Sequence, residues 1–166
     1  LGRQLSLFRL EHYLAGLGLP TANLKLLFFA AWMLTMPNVQ VGILGIFQNF
    51  QGRESDGAMV ESEMRLAELA EPLGYTSYWP PEHHFTDYTM CPDVVQFLSD
   101  MAGKTQRVKL GSMVIVLPWQ DPMRVAEQIS LLDHLSGGRM ILGMGRGLAR
   151  VEYDGFRIDQ TAGRER

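Results

Sequence analysis

Four short apolar runs alternate with three helical stripes between residues 41 and 143, one repeat about every 35 residues. That alternation constrains the fold more than any other feature, because strand–helix–strand repeats build βαβ units, a parallel sheet and right-handed crossovers. The runs are 41–47 (Val-Gly-Ile-Leu-Gly-Ile-Phe), 75–79, 108–117 and 139–143. The first and third lack polar alternation, which predicts burial on both faces of the sheet. Asp56 is placed to cap a first helix carrying Val60, Met64 and Ala67, with Leu66, Leu69, Ala70 and Leu73 on the adjoining stripe and Gly74 at its end. A second helix is predicted over 92–102, with Pro92 in its first turn and Gly103 after it. The third begins at the cap pair Asp121-Pro122, carries Val125, Ile129, Leu132 and Leu135, and stops at Gly137-Gly138.

Two architectures fit such a pattern, an open doubly wound sheet and the first half of a (β/α)8 barrel. A dinucleotide-binding open sheet carries its glycine-rich turn after the first strand, and residues 48–56 do not supply one. In a barrel, every strand's C-terminal end contributes to one site. Polar groups follow the second run (Glu82, His83, His84), the third (Trp119, Gln120, Asp121) and the fourth (Arg146, Arg150, Glu152), which favours the α/β TIM barrel. A whole barrel takes about 250 residues. The expectation is therefore its first half, about four βα units of a longer protein.

With 166 residues, 46% of them hydrophobic, 20% charged and a formal charge of -3, the chain reads as one soluble globular domain. Its scattered basic residues lack the electrostatic footprint of a nucleic-acid binder. The apolar run 26–34 is too short to span a membrane, which needs roughly 20 residues. No small-x-small cleavage pattern follows that run. Residues 1–35 do not match what comes after, so they are expected to be an extra segment before a domain covering 36–166, with the natural start at Met36 or Met33. A lone cysteine, Cys91, excludes an internal disulfide and a cysteine metal site, fits a reducing, cytoplasmic compartment, and reads as a buried small hydrophobe.

Chemistry concentrates in 75–85, where a strand is stopped by Pro80 and Pro81 and followed at once by Glu82, His83 and His84. An unperturbed imidazole titrates near pH ~6.5 and both holds and releases a proton at neutral pH. The plainer reading is a loop-capping pair. A metal site is a poor fit, since adjacent histidines do not easily face one ion and His12 and His134 are isolated. Gly143-x-Gly145-x-Gly147 looks like a phosphate cradle, but without a capped amphipathic helix directly after it a tight turn is the simpler account. By default Arg146 and Arg164 are surface charges, Glu127 is a helix salt-bridge partner, and Trp79 and Trp119 are core.

The segments Tyr78-Trp79, Glu82-His83-His84-Phe85-Thr86, Gly111-Ser112-Met113-Val114-Ile115-Val116-Leu117-Pro118, Leu132-Asp133-His134-Leu135-Ser136-Gly137-Gly138-Arg139 and Gly143-Met144-Gly145-Arg146-Gly147-Leu148 together carry a likeness. In this order they resemble the N-terminal half of the bacterial luciferase-like, flavin-dependent monooxygenases. The likeness runs over residues 40–166, and residues 1–38 have no counterpart in it.

The resemblance implies a (β/α)8 barrel that binds reduced flavin mononucleotide at the C-terminal ends of its strands. It implies a C4a-peroxyflavin formed with O2 as co-substrate, attack on an aldehyde or related small organic substrate, a flavin reductase as the source of reduced FMN, and a homo- or heterodimer. It places His83 at the catalytic histidine and His84 in support, the backbone of Met113 and Val114 against the flavin ring, Glu127 at a flavin-site carboxylate, and Arg146 and Arg164 on the flavin phosphate. No metal is implied. Light-emitting members carry a reactive cysteine where this chain has Gly145, which argues against light emission more than against monooxygenation. Two alternatives stay open: an F420-dependent oxidoreductase of the same barrel family, and a truncated or noncatalytic partner subunit. Val95, Phe97, Leu98, Met101, Ile129 and Leu132 suit either core packing or a dimer interface.

Overall fold

The computed structural model describes residues 39–165. The expected start at Met36, the reading of 1–35 as an extra segment, and His12 lie outside the described residues.

In chain order the strands are β1 (Gly42–Leu44), β2 (Ser77–Trp79), β3 (Lys109–Gly111), β4 (Ile115–Val116), β5 (Met140–Ile141) and β6 (Met144–Gly145). The helices are α1 (Asp56–Ala70), α2 (Val94–Lys104), α3 (Pro122–Ser136) and α4 (Arg150–Phe156). All pairings are parallel, in the order β1-β2-β3-β5, and a second ladder joins β4 to β6. Neighbours in the sheet follow chain order without reversal. An open doubly wound sheet reverses order at its switch point, whereas a barrel does not. The four βα units are those of a partial (β/α)8 barrel, as the alternation predicts.

Register explains where the core lies. Ile43, Tyr78, Leu110 and Met140 pair across the sheet and face the helices, meeting Met64, Ala67 and Ala70 of α1, Leu98, Met101 and Ala102 of α2, and Leu132 of α3. Of these, Tyr78, Leu98, Met101, Leu110 and Leu132 are fully buried, and burying a large side chain completely contributes roughly 1.5–3 kcal/mol. The opposite, inner face carries Leu44, Trp79, Gly111 and Ile141. A Cβ on Gly111 would come within 2.2 Å of the Trp79 ring, so glycine is what lets the indole lie across β3. No helix layer covers this face among the described residues, and Leu44 is 47% exposed. Burial of the first run on both faces is therefore corrected: among the described residues β1 is paired on one side only, and of its residues Ile43 is the one turned to the helices.

Several boundaries also move. The cap of α1 is Ser55, whose Oγ accepts the Ala58 N–H at 3.2 Å. Asp56 instead opens the helix, where a carboxylate complements the dipole. Asp93 caps α2 through the Gln96 N–H, so Pro92 stands before the helix rather than in its first turn. That helix passes through Gly103 to Lys104, because Thr105 bonds back to the Met101 carbonyl through both its N–H and its hydroxyl. The third run is not one strand. It breaks between β3 and β4, where the Met113–Val114 peptide is cis and Met113 is 48% exposed. The fourth run ends early, and β6 forms beyond it. Only α3 starts and stops as read, with the Asp121 carboxylate accepting the Met123 and Arg124 N–H groups and Gly137 left-handed at φ 68°. Leu98, Met101 and Leu132 prove to be core, while Val95, Phe97 and Ile129 pack at its margin. Leu131 and Leu135 are the exposed leucines of α3.

Two side chains fasten the end of the sheet remote from the histidines. The Arg139 guanidinium donates five hydrogen bonds, to the carbonyls of Ser136, Val108, Ala102 and Thr105 and to the Thr105 hydroxyl, at 2.6–3.1 Å. It thereby satisfies carbonyls at the C-terminal ends of α2 and α3 together. Glu71, just past α1, accepts the backbone N–H groups of Gln106, Arg107 and Val108 with one oxygen, at 2.7–3.1 Å. Burial pushes this carboxyl up, but the three N–H donors and the Arg107 guanidinium outweigh it and hold it at about 2. Cys91 is buried in the second core cluster, as its composition suggested, and burial followed by the Asp93 and Glu82 charges pushes its thiol up to about 12. No helix among the described residues is long and apolar enough to cross a membrane.

Candidate active site

At the C-terminal end of β2, Pro80 and Pro81 end the ladder and the chain turns Glu82 inward. The Pro80 carbonyl accepts the Met113 N–H at 3.0 Å, and the His83 N–H reaches the Cys91 carbonyl at 3.1 Å. Both flanks of Glu82 are thus held by backbone. Buried to 4% exposure, its carboxylate accepts Val116 N–H at 3.0 Å, Trp119 Nε1–H at 2.7 Å, Gln120 Nε2–H at 3.3 Å and His84 Nε2 at 3.1 Å. Those contacts tie the loop after β2 to β4 and to the turn that follows it. A buried carboxylate with this many donors has its lone pairs satisfied, which is the condition for tolerating it there.

A second carboxylate comes from α4. Glu152, 1% exposed, accepts both His83 Nδ1 and the His84 backbone N–H on the same oxygen, each at 2.9 Å. The adjacent residue Tyr153 is fully buried and donates its hydroxyl to the Arg146 carbonyl. Phe156, one turn on, stacks on Trp119 with ring centroids 5.0 Å apart and meets His84 edge-on at 4.7 Å. These aromatic contacts seat α4 against the two histidines. Phe85 takes a left-handed φ of 59° beside them, and its ring fills the space over Gly155, where a Cβ would fall 2.3 Å away.

The two imidazoles end in different environments. His84 is bonded to Glu82 and walled by Trp119 and Phe156, with its side chain 13% exposed. His83 is 32% exposed, with Nδ1 turned to Glu152 and Nε2 unpartnered among the described residues. Tyr88 lies edge-on to His83 at 6.0 Å and pairs in turn with Phe50. An imidazole whose back nitrogen rests on a buried carboxylate and whose front nitrogen is free is the arrangement of a proton donor and acceptor.

The other residues singled out in the sequence are distributed around this centre. Met113 and Val114 form the break between β3 and β4, with Met113 exposed. Gly143 and Gly145 face that break: a Cβ on Gly143 would strike the Ser112 carbonyl oxygen at 2.1 Å, and one on Gly145 would meet Val114 Cγ2 at 2.5 Å. Glycine at these two positions is what lets the Ser112 carbonyl and the Val114 side chain pack directly against them. Arg146 follows Gly145, is exposed, and has no carboxylate partner among the described residues. Gln160 donates to the Leu148 carbonyl at 3.0 Å, which ties the segment before Arg164 to the loop after Arg146. Glu127 stands apart: it is exposed on α3 and pairs with Arg124 at 2.9 Å, its i,i+3 neighbour, in keeping with its default reading as a helix salt-bridge partner. Sequence reasoning gave no role to Glu152, which figured only as a polar group after the fourth run, and read Trp119 as core. A glutamate in the first turn of a short helix carries no local signal. Only the 69-residue separation closed by the fold makes it a partner of His83.

A family model described as luciferase-like monooxygenase matches residues 39–166. An uncharacterised protein of Sinorhizobium fredii is 40% identical over 121 residues, 71% of this chain and 35% of that protein. The alkanal monooxygenase alpha chain of Photobacterium leiognathi is 33% identical over 112 residues, 68% of this chain and 32% of its own length. The oxygenase component of the flavin-dependent trigonelline monooxygenase of Acinetobacter baylyi is 28% identical over 102 residues, 61% of this chain and 28% of its own length. Among solved structures, monooxygenase RslO1 from Streptomyces bottropensis superposes with a TM-score of 0.71 at 31% identity, covering 76% of this chain and 39% of that one. The oxygenating constituent of 3,6-diketocamphane monooxygenase from Pseudomonas putida, in complex with FMN, shares the fold at a TM-score of 0.65 and 22% identity, covering 70% of this chain and 32% of that one. The chain spans about a third of the length of the curated relatives it matches.

Proposed function

Since the chain belongs to the luciferase-like monooxygenase family, we propose that it carries the acid–base half of a site in which reduced FMN and O2 oxidise a small organic substrate, an aldehyde or a related compound. The observation that carries this reading is His83, held from behind by a buried glutamate and open in front, at the C-terminal end of a parallel strand. His83 takes and returns the proton at Nε2. His84, bonded to Glu82, keeps the loop in place as its support.

The residues present fit a flavin. The backbone of Met113 and Val114, at the exposed break between β3 and β4, would lie against the ring. Arg146 and Arg164 would hold the phosphate, for which a guanidinium fork supplies paired donors at any working pH. Glu127 belongs to the proposal as a flavin-site carboxylate, and would then have to leave Arg124. The flavin, when bound, supplies the electrons that activate O2. A flavin reductase would deliver it, in keeping with the relative named as an oxygenase component, and a dimer is part of the same reading.

Anaerobic titration of reduced FMN into the full-length natural protein tests this, alongside His83→Ala. Micromolar binding in both proteins, with aldehyde oxidation lowered ~100-fold or more in the variant, is the expected result. Binding of F420 in place of FMN would move the protein to the hydride-transferring branch. Binding of neither would leave a noncatalytic partner subunit.

A further inference from the structure

We propose that Glu152 is the positioning residue of this site: it fixes the tautomer and the ring orientation of His83, so that Nε2 is the nitrogen offered to reactants. The inference deepens the reading of His83 as the acid–base group and rests on it for its functional meaning. Its structural content stands on the two hydrogen bonds that meet at one glutamate oxygen.

Oε1 of Glu152 receives the His84 backbone N–H at 2.9 Å and lies 2.9 Å from His83 Nδ1. A peptide N–H only donates, so that oxygen is an acceptor at this position. An acceptor facing Nδ1 requires the proton on Nδ1. A neutral imidazole carries one N–H, which leaves the lone pair on Nε2. The ring is partly exposed while the carboxylate is 1% exposed, so the bond is made on the buried side and the free nitrogen points outward. When Nε2 takes up a proton, both nitrogens donate and the cation faces the carboxylate. When that proton leaves, the ring returns to the same tautomer without turning. One proton enters and one leaves at Nε2, and Glu152 gains none.

His84 has the opposite assignment. Its Nε2 is the nitrogen bonded to the Glu82 carboxylate, at 3.1 Å, and its ring is closed in by Trp119 and Phe156. Two neighbouring histidines thus meet two buried glutamates through different ring nitrogens, and the His83 ring is the more exposed of the two, 32% against 13%. Glu152 reaches His83 because α4 is seated by the Trp119–Phe156 stack and by the Tyr153 hydroxyl on the Arg146 carbonyl.

Long-range proton–nitrogen NMR of 15N-histidine-labelled protein in mildly alkaline buffer reads the tautomer directly, with His83 assigned by loss of its signals in His83→Gln. The wild-type chain is expected to show Nδ1 as the protonated nitrogen of His83 and Nε2 of His84. Glu152→Gln keeps the acceptor oxygen and should keep the His83 tautomer. Glu152→Ala removes it and should lose the Nδ1–H signature, with the His84 tautomer unchanged. In the full-length enzyme the alanine variant should lower kcat about 100-fold with little change in KM. Protonation of His83 on Nε2 in the wild-type chain overturns the proposal even where Glu152→Ala does not fold. So does an Nδ1–H signature that survives in a folded alanine variant. Failure of the flavin reading would leave these spectra as expected, so the two claims fail separately.

Discussion

At single residues, the carboxylates do most of the organising, and each makes a separate prediction. Glu82 accepts Val116 N–H, Trp119 Nε1–H, Gln120 Nε2–H and His84 Nε2 inside the protein. Glu82→Ala leaves these donors without a partner and is expected to lower stability by about 3–5 kcal/mol, read as a fall in the urea midpoint at unchanged slope. A loss under ~1 kcal/mol would mean that water replaces the carboxylate freely. Glu71 bears on pH. Its folded pKa, about 2, lies below the ordinary 4.5, so its contribution is complete above 4.5 and is lost as the pH falls toward 2. Glu71→Gln should therefore be less stable than wild type by about 1–2 kcal/mol at neutral pH. Denaturant titrations at a series of pH values should show that gap closing between 4.5 and 2. A gap independent of pH would assign the effect to packing rather than to the charge.

At the scale of elements, the helices are held by capping chemistry as much as by their apolar faces. Asp121 and Gly137 delimit α3, and Ser55 and Asp93 open α1 and α2. Arg139 joins two helix ends and the start of β3 through one planar group. Lysine cannot reproduce that fork, since its three donors radiate from a single point. Arg139→Lys is expected to cost about 2–3 kcal/mol, seen as a lower Tm, with far-UV circular dichroism of the folded state unchanged. Retained Tm would show that the carbonyls at these helix ends are satisfied without it. Short α4 is the other decisive element: seven residues deliver Glu152, Tyr153 and Phe156 to one side of the site.

For the molecule as a whole, among the described residues β1 is paired on one side only, and the inner face of the sheet bears Leu44, 47% exposed. An unpaired edge beside apolar side chains is a template for association. The 166-residue chain is expected to elute from size exclusion as a concentration-dependent mixture of species, with Leu44→Lys shifting it toward monomer. A single monomer peak at all concentrations would show that this face is covered. The alternation of apolar runs and helices, the Asp121-Pro122 start of α3, the burial of Cys91 and the pairing of Pro80-Pro81 with Glu82, His83 and His84 were all legible in the sequence. Each depends on neighbours within a few positions, where propensity, capping and periodicity act. The sequence did not disclose the break at Met113–Val114, the exposure of Leu44 or the contact of Glu152 with His83. Those follow from which strand lies at an edge and which helix closes over which loop, and such contacts, His83 with Glu152 across 69 positions among them, exist only once the chain has folded.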